Sequence, residues 1–230
     1  MSFEKDLHSQ IEKRVASGYK YQGYPVYPLT MSDVKKISSV ANKYGFPPEW
    51  LANLINYESA GTFNPAIQNS IGATGLIQFL KSTASGSCLN TTTDDLKRLS
   101  FSEQMDYVDK YLKCNFESVG ASRGVYDKTK GKVTKKMTQT DLFMFIFYPA
   151  SVGNTQYAFP PAVINANSGT ATPAEYAMKA LRASTAPFRD IPGNIMSTAA
   201  AIKRNPGKAI AATIGLVGIT LGIIFLIRRA

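Results

Sequence analysis

Apolar residues recur three and four positions apart in two neighbouring stretches early in the chain, a spacing typical of amphipathic helices. Segment 31–44 predicts a helix with Ser32 as its N-cap and Gly45 at its end. The next helix is predicted to open at the Pro47-Pro48 pair, because proline is tolerated in a first helical turn, and to end near Glu58. The apolar positions behind these predictions are Val34, Ile37, Val40, Ala41, Trp50, Leu51, Leu54 and Ile55.

Three later stretches extend the helical pattern. Segment 95–116 repeats apolar residues at helical spacing and predicts a further helix. The apolar run 142–148 predicts a buried core helix, because it is much too short to cross a bilayer. The third, segment 172–176, resembles the closing helix of a known protein family. We therefore expect a mainly α-helical domain.

The segment 209–227 differs from these helices because its nineteen residues carry no charge. As a helix it would be roughly 28 Å long at about 1.5 Å per residue, close to the hydrocarbon thickness of a bilayer. Basic residues flank both of its ends, with Lys208 and Arg228 nearest. We expect a transmembrane helix at 209–227 that anchors the chain in a lipid membrane, preceded by a linker at 183–208.

The net charge of +10 is confined to two places. Segment 119–138 carries six Lys or Arg and one Asp, and segment 203–230 carries five Lys or Arg and no acid. No basic recognition helix stands out, so nucleic acid is not expected as a partner. Segment 119–138 is either a solvated loop that favours solubility or a surface attracted to anionic wall polymers or lipid head groups, and both interpretations stay open.

Two cysteines, Cys88 and Cys114, and a single histidine, His8, limit the cofactor chemistry. Without a CxxC pair or a Cys/His cluster, neither a metal site nor a cofactor is expected. A disulfide is one possibility, in an oxidising compartment, and buried free thiols are the favoured one.

The N-terminal residues 1–30 are predicted to form an arm that begins with a helical segment and continues as a tyrosine- and proline-rich stretch. Its aromatic rings could line a sugar groove, but packing against the body of the domain is favoured. The first ten residues lack the basic start and apolar core of a secretory signal.

The strongest chemical signal is Glu58, a lone carboxylate that follows the apolar helix pattern. The next acid along the chain is Asp94, and the loop between them is rich in Gly, Asn, Ser and Thr. A carboxyl beside an apolar wall with no competing acid suits a general acid, because desolvation favours its protonated form.

Several short motifs around Glu58 resemble the signature of the soluble-type lytic transglycosylases, goose-lysozyme-like enzymes that cut the glycan strands of peptidoglycan. They occur in the family's order and at compatible spacing, and the resemblance covers residues 31–182. The motifs are Glu58-Ser59, Phe63-Asn64-Pro65, Gly72-Ala73, Gly75-Leu76-Ile77-Gln78 and Thr83-Ala84.

The resemblance implies a lysozyme-like helical fold and peptidoglycan glycan strands as the substrate. It implies that Glu58 is the catalytic acid and base, and that Ser59, Gln78 and Tyr148 bind substrate. Tyr148 matches the family tyrosine that points at the acid, but Pro149 replaces the asparagine that usually follows it.

The expected reaction is cleavage between N-acetylmuramic acid and N-acetylglucosamine with a 1,6-anhydro product. Hydrolysis of the same bond is an alternative, and because glycoside hydrolases normally use two carboxylates, Asp94 and Asp95 are its first candidates. A non-catalytic wall-binding protein is the third interpretation.

The predicted anchor raises a question of compartment, because ordinary insertion of a C-terminal helix would leave the domain in the cytoplasm, away from peptidoglycan. A virus with a membrane inside its capsid would avoid this problem. The chain resembles membrane-anchored virion transglycosylases of such bacteriophages. We therefore expect a single-pass protein of the virion's internal membrane, beside other virion membrane proteins, that acts on the host periplasmic wall during genome entry.

Overall fold

A computed structural model describes residues 2–167 and 169–185, and over this range the chain is mainly α-helical. The described helices are α1 Phe3–Ala16, α2 Met31–Lys43, α3 Pro48–Glu58, α4 Lys81–Ser85, α5 Thr93–Arg98, α6 Phe101–Asn115, α7 Gln139–Phe147, α8 Pro161–Ala166 and α9 Pro173–Thr185. Two short antiparallel hairpins lie between helices. One pairs β1 Lys20–Tyr21 with β2 Tyr24–Pro25, and the other pairs β3 Tyr126–Asp127 with β4 Lys132–Val133. The mainly helical class predicted from the sequence is confirmed.

Helix α3 lies at the centre of the domain, in contact with α2, α7 and α9. Its apolar residues Leu51, Leu54 and Ile55 are fully buried. Burying each such side chain stabilises the fold by about 1.5–3 kcal/mol, so the pattern that predicted this helix also anchors it. The packing fixes the end of α3, and with it Glu58.

The start of α2 differs from the prediction. The N-cap is Thr30, not Ser32, because Thr30 forms a reciprocal capping box with Asp33. The Asp33 backbone N–H donates to Thr30 Oγ1 at 3.2 Å, and the Thr30 N–H donates to Asp33 Oδ2 at 2.9 Å. The predicted end is confirmed, since Gly45 follows the helix with a φ of +72°.

The single helix predicted over 95–116 is broken into α5 and α6. Ser100 caps α6, with its Oγ accepting from the Glu103 N–H at 3.3 Å while Glu103 accepts from the Ser100 N–H at 2.8 Å. A capping serine has extended backbone, so the apolar spacing continues across the break although the helix does not. Beyond α6 one π-helical turn follows, Phe116–Gly120.

Cys88 and Cys114 form a disulfide, with Cα atoms 6.3 Å apart. The preference for free thiols was therefore wrong. The bond links the loop between α4 and α5 to the end of α6. Spacing in the sequence could not predict it, because the cysteines are 26 positions apart and the chain between them includes two helix starts and a break.

The N-terminal residues pack against the domain, as favoured from the sequence. Leu7 and Ile11 of α1 are fully buried, and α1 contacts α2. The tyrosine- and proline-rich stretch contains the β1–β2 hairpin, and Val26 beyond it is buried. This segment is therefore part of the core rather than a projecting arm.

The basic segment 119–138 contains the β3–β4 hairpin, with Tyr126 opposite Val133. Asp127 orders its turn by accepting from the Thr129 N–H at 2.9 Å and pairs with Lys130 at 3.4 Å. Both interpretations of this charge remain predictions.

The predicted transmembrane helix 209–227 and most of the predicted linker lie outside the described residues. Among the helices at 2–167 and 169–185, none is long and apolar enough to cross a membrane.

Candidate active site

Glu58 is the last residue of α3 and is only 8% exposed. Its side chain borders an open cleft whose walls combine apolar and polar groups. Such walls suit a glycan, because the polar groups can bind its amide and hydroxyl groups and the apolar faces can pack on its sugar rings. The cleft is lined by Glu58, Asn69, Ile71, Ala73, Ile77, Gln78, Phe79, Leu80, Thr83, Tyr111, Ile146, Phe147 and Asn167.

The hydroxyl group of Tyr176, on α9, donates a short hydrogen bond to Glu58 Oε1. Tyr176 is 1% exposed, and its ring stacks on Phe147 with centroids 4.1 Å apart. Tyr57 meets the same ring edge-on at 5.6 Å. Because the ring is held by its neighbours, the hydroxyl position is fixed, and with it the rotamer of Glu58.

The tyrosine expected beside the acid was Tyr148, and the structure places it elsewhere. Tyr148 follows the last residue of α7 and packs against Tyr157 and Phe159, with ring centroids 5.7 and 5.3 Å away. Burial raises the pKa of Tyr148, and a hydrogen bond with Tyr157 adds to that rise. The backbone turns sharply where α7 gives way to the 3₁₀ turn Pro149–Ser151, so Tyr148 does not line the cleft. The tyrosine hydroxyl that contacts Glu58 is that of Tyr176.

Gln78 lies in the cleft, as the resemblance implied, and is carried by a tight turn. Its Oε1 accepts from Asn69 Nδ2 at 2.9 Å, and its Nε2 donates to the Gly75 carbonyl at 3.0 Å. Asn69 Oδ1 accepts from the N–H groups of Ile71 and Ala73, both at 2.9 Å. The two amides therefore form a fixed polar wall, and Asn69 is a cleft residue that the sequence did not single out.

Among the described residues, three of the five non-glycine residues with positive φ lie in the turn after Glu58 or in the turn that carries Gln78. Ala60, Phe63 and Gln78 all have positive φ, at 49°, 51° and 53°. Non-glycine residues in this region cost of order 1–3 kcal/mol each and persist where the surroundings fix them, often at functional sites. Of the three, Gln78 lines the cleft.

A buried glutamine, Gln104 of α6, supports the turn that carries Gln78. It is fully buried, and its Oε1 accepts from the Leu76 N–H at 2.6 Å. Its Nε2 donates to the carbonyls of Pro65 and Leu96 at 2.9 and 2.8 Å. Gly75 has a φ of +81°, and a Cβ there would lie 2.1 Å from Gln104 Oε1. The glycine of the Gly75 motif is thus required by close approach to Gln104.

Ser59, expected to bind substrate, is fully buried instead. Its Oγ donates to the Ile55 carbonyl at 2.6 Å and accepts from the Phe63 N–H at 3.0 Å. Both bonds stay within the end of α3 and the turn that follows it. Ser59 therefore shapes the backbone beside the acid and does not face the cleft.

The far wall of the cleft includes Asn167, in the turn between α8 and α9. Lys179 donates to the Asn167 carbonyl at 3.1 Å and to the hydroxyl of Thr170. Burial lowers the pKa of Lys179. Lys179 lies one turn after Tyr176 on α9, so the same helix supports both the acid and this wall.

Glu58 is the one carboxylate among the described cleft residues. Burial raises the pKa of the neighbouring Tyr57, and the charge of Glu58 adds to that rise. Asp94 and Asp95, the alternative acids, lie in the first turn of α5, where the Asp95 N–H donates to the capping Thr92 Oγ1 at 3.0 Å. Within 2–167 and 169–185 no group of three His, Cys, Asp or Glu could hold a metal ion.

The Transglycosylase SLT domain family matches residues 35–141. The chain carries an SLT transglycosylase domain. Members of this family are lytic transglycosylases, lyases that act on peptidoglycan, and the matched residues 35–141 support that activity for the chain. No curated protein and no solved structure matches the chain.

The matched part of the SLT domain contains Glu58, Gln78 and Gln104 but stops within α7. Helix α1 lies before it, and Tyr148 and Tyr176 lie after it. The sequence carried one signal for Tyr176, because the segment 172–176 resembles the family's closing helix. It carried none for the contact between Tyr176 and Glu58.

Proposed function

We propose that the enzyme cleaves the bond between N-acetylmuramic acid and N-acetylglucosamine with Glu58 as its acid and base. The observation that carries this proposal is a single carboxylate among the described cleft residues, 8% exposed and held by the hydroxyl of Tyr176. A buried carboxyl favours its protonated form and can donate to the glycosidic oxygen.

The reaction then proceeds without water. Glu58 donates its proton to the glycosidic oxygen, the bond from that oxygen to C1 of muramic acid breaks, and the N-acetylglucosamine end leaves with a free hydroxyl. The Glu58 carboxylate next accepts the proton of the muramic C6 hydroxyl, whose oxygen bonds to C1. The product is a 1,6-anhydro sugar and Glu58 is protonated again. We assign the amides of Gln78 and Asn69 to substrate binding along the cleft.

Mass spectrometry of digested peptidoglycan tests this function. The anhydro product is lighter than the hydrolysis product by one water, so a single spectrum distinguishes the two reactions. A digest that contains only reducing muramic ends would establish hydrolysis instead. A zymogram without clearing would favour the non-catalytic, wall-binding interpretation.

We expect Tyr176→Phe to lower kcat by about tenfold with little change in KM, because the phenylalanine fills the same space but no longer orients the Glu58 proton. The matched comparison is Tyr148→Phe, which removes a hydroxyl outside the cleft. Steady-state kinetics on soluble glycan fragments measures both. A large loss in Tyr148→Phe with none in Tyr176→Phe would restore the assignment made from the sequence.

We also propose that residues 209–227 anchor the enzyme in the internal membrane of a virion, where it opens the host wall during genome entry. The uniform apolarity of this segment and its basic flanks support the anchor. The Cys88–Cys114 disulfide supports exposure to an oxidising compartment, since cytosolic proteins seldom keep such bonds.

We expect full-length protein to partition into membranes and resist extraction by high salt or alkali. The reason is that burying nineteen apolar residues outweighs the contribution of the flanking basic residues. A chain truncated after residue 185 should remain in the aqueous fraction and keep its activity. Release of intact full-length protein by a salt wash would contradict the anchor.

A further inference from the structure

The N-terminal segment holds the turn that follows Glu58, although it precedes the matched part of the SLT domain. Arg14, near the end of α1, donates through Nη1 to Asn56 Oδ1 at 2.9 Å and to the carbonyl of Gly61. These two partners lie on either side of Glu58 in the sequence. One guanidinium therefore joins the last turn of α3 to the residues beyond it.

Three more hydrogen bonds connect the same two segments. Tyr19 Oη donates to the Ala60 carbonyl at 3.0 Å. The Tyr27 N–H donates to the Thr62 carbonyl at 2.8 Å, and Asn64 Nδ2 donates to the Pro25 carbonyl at 3.0 Å. Every contact lies within six residues of Glu58. The N-terminal segment thus fixes the turn 59–64 along its length.

Arg14 suits this position for an electrostatic reason. The C-terminal end of a helix carries partial negative charge, which a nearby cation stabilises. Arg14 is 9% exposed, so water screens this interaction weakly. Gly61 has a φ of +78°, and a Cβ there would lie 2.8 Å from Arg14 Nη1, so a side chain at 61 would strain the turn and displace the guanidinium.

The turn itself is strained and depends on such support. Ala60 has a φ of 49°, and the Gly61 N–H donates back to the Asn56 carbonyl at 2.7 Å. Arg14 bonds to the side chain of Asn56 and to the carbonyl of Gly61, so it contacts both residues that this backbone hydrogen bond joins. Loss of that support would let the end of α3 relax, and the Glu58 carboxyl would move relative to Tyr176.

We propose that Arg14 is a positioning residue that fixes the end of α3 and thereby the place of the Glu58 carboxyl in the cleft. The proposal rests on the role proposed above for Glu58. Arg14 acts through the backbone on one side of the acid, and Tyr176 holds the carboxyl on the other. The N-terminal segment accordingly contributes to catalysis through the position of Glu58.

The test compares Arg14→Met with Lys13→Met in the full-length protein. Lys13 is the neighbouring exposed cation of α1 and serves as the matched control. Arg14→Met is expected to lower kcat by about tenfold per folded molecule, with KM changed less than about twofold, because misplacement of a reacting group slows chemistry more than binding. Lys13→Met should match wild type in both constants.

Amide hydrogen exchange gives a second readout that does not depend on catalysis. Arg14→Met should speed exchange at 59–63 and leave the centre of α3 protected. If Glu58→Gln proves active, the proposed function fails, yet this exchange still decides whether Arg14 holds the turn. Unchanged exchange at 59–63 would overturn the proposal, and so would a kcat per folded molecule equal to wild type.

If Arg14→Met does not fold, Arg14→Lys tests the positioning role instead. A lysine keeps the charge, but its side chain is one atom shorter, so its nitrogen falls short of the Asn56 and Gly61 oxygens. We expect a kcat between those of wild type and a tenfold loss. Wild-type kcat and wild-type exchange in this variant would show that the charge only stabilises the fold, and would refute positioning.

Discussion

Glu58→Gln should lower the rate of glycan cleavage by a factor of about 10²–10⁴, the range that general acid catalysis contributes. Glutamine keeps the size and shape of the side chain but has no proton to give to the glycosidic oxygen. The Tyr176 hydroxyl can still donate to the amide oxygen of glutamine, so the cleft and the fold should persist.

The matched control for this variant is Glu49→Gln. Glu49 lies on the same helix, in its first turn rather than its last, and does not line the cleft. Release of soluble muropeptides from purified peptidoglycan, normalised to folded protein by circular dichroism, measures both variants. Activity in Glu58→Gln above about a hundredth of wild type would remove Glu58 from the role of acid.

The sequence located Glu58 because everything that marks it is local. The apolar spacing of α3 predicts the helix, the Pro47-Pro48 pair predicts its start, and the glycine- and asparagine-rich loop predicts its end. All of these signals lie within about one helix length of the acid. The prediction of a lone carboxylate at a helix end therefore needed no tertiary information.

The partner of the acid could not be located in the same way. Tyr176 lies 118 residues from Glu58, and their contact depends on α9 packing against α3. The family resemblance pointed to Tyr148, which matches the family tyrosine that an asparagine usually follows, but the turn at Pro149 carries its side chain away from the cleft. The sequence could not show which of the two tyrosines contacts Glu58, because that contact depends on long-range packing.

The differences in helix boundaries have a different cause. Ser100 and Thr30 each form a capping box with an acid three residues later, and such polar side chains set where a helix begins. Apolar spacing says which face is buried but is insensitive to a break of two residues. The prediction from hydrophobic periodicity alone therefore merged α5 and α6 into one helix.

Gly75→Ala should destabilise the domain by roughly 3–5 kcal/mol. A positive φ costs alanine about 1 kcal/mol, and displacing a buried, fully bonded amide adds about 1–3 kcal/mol for each unmade hydrogen bond. The new Cβ would lie 2.1 Å from Gln104 Oε1, and Gln104 cannot move without breaking its bonds to Leu76, Pro65 and Leu96. Gln78 would lose its fixed position with the turn, so activity should fall too.

Gly72→Ala separates the cost of a positive φ from the cost of displacing Gln104. Gly72 lies in the same loop with nearly the same φ, +82° against +81° for Gly75, but a Cβ there meets nothing within 4 Å. It should lose only the conformational part, about 1 kcal/mol. Urea unfolding of both variants, with the disulfide intact, gives the difference that belongs to Gln104. Combining Gly75→Ala with Gln104→Ala should then show a coupling energy above about 1 kcal/mol, as expected for side chains in direct contact. Equal losses at the two glycines, or additive effects in the double variant, would mean that Gln104 does not dictate the glycine in the cleft turn.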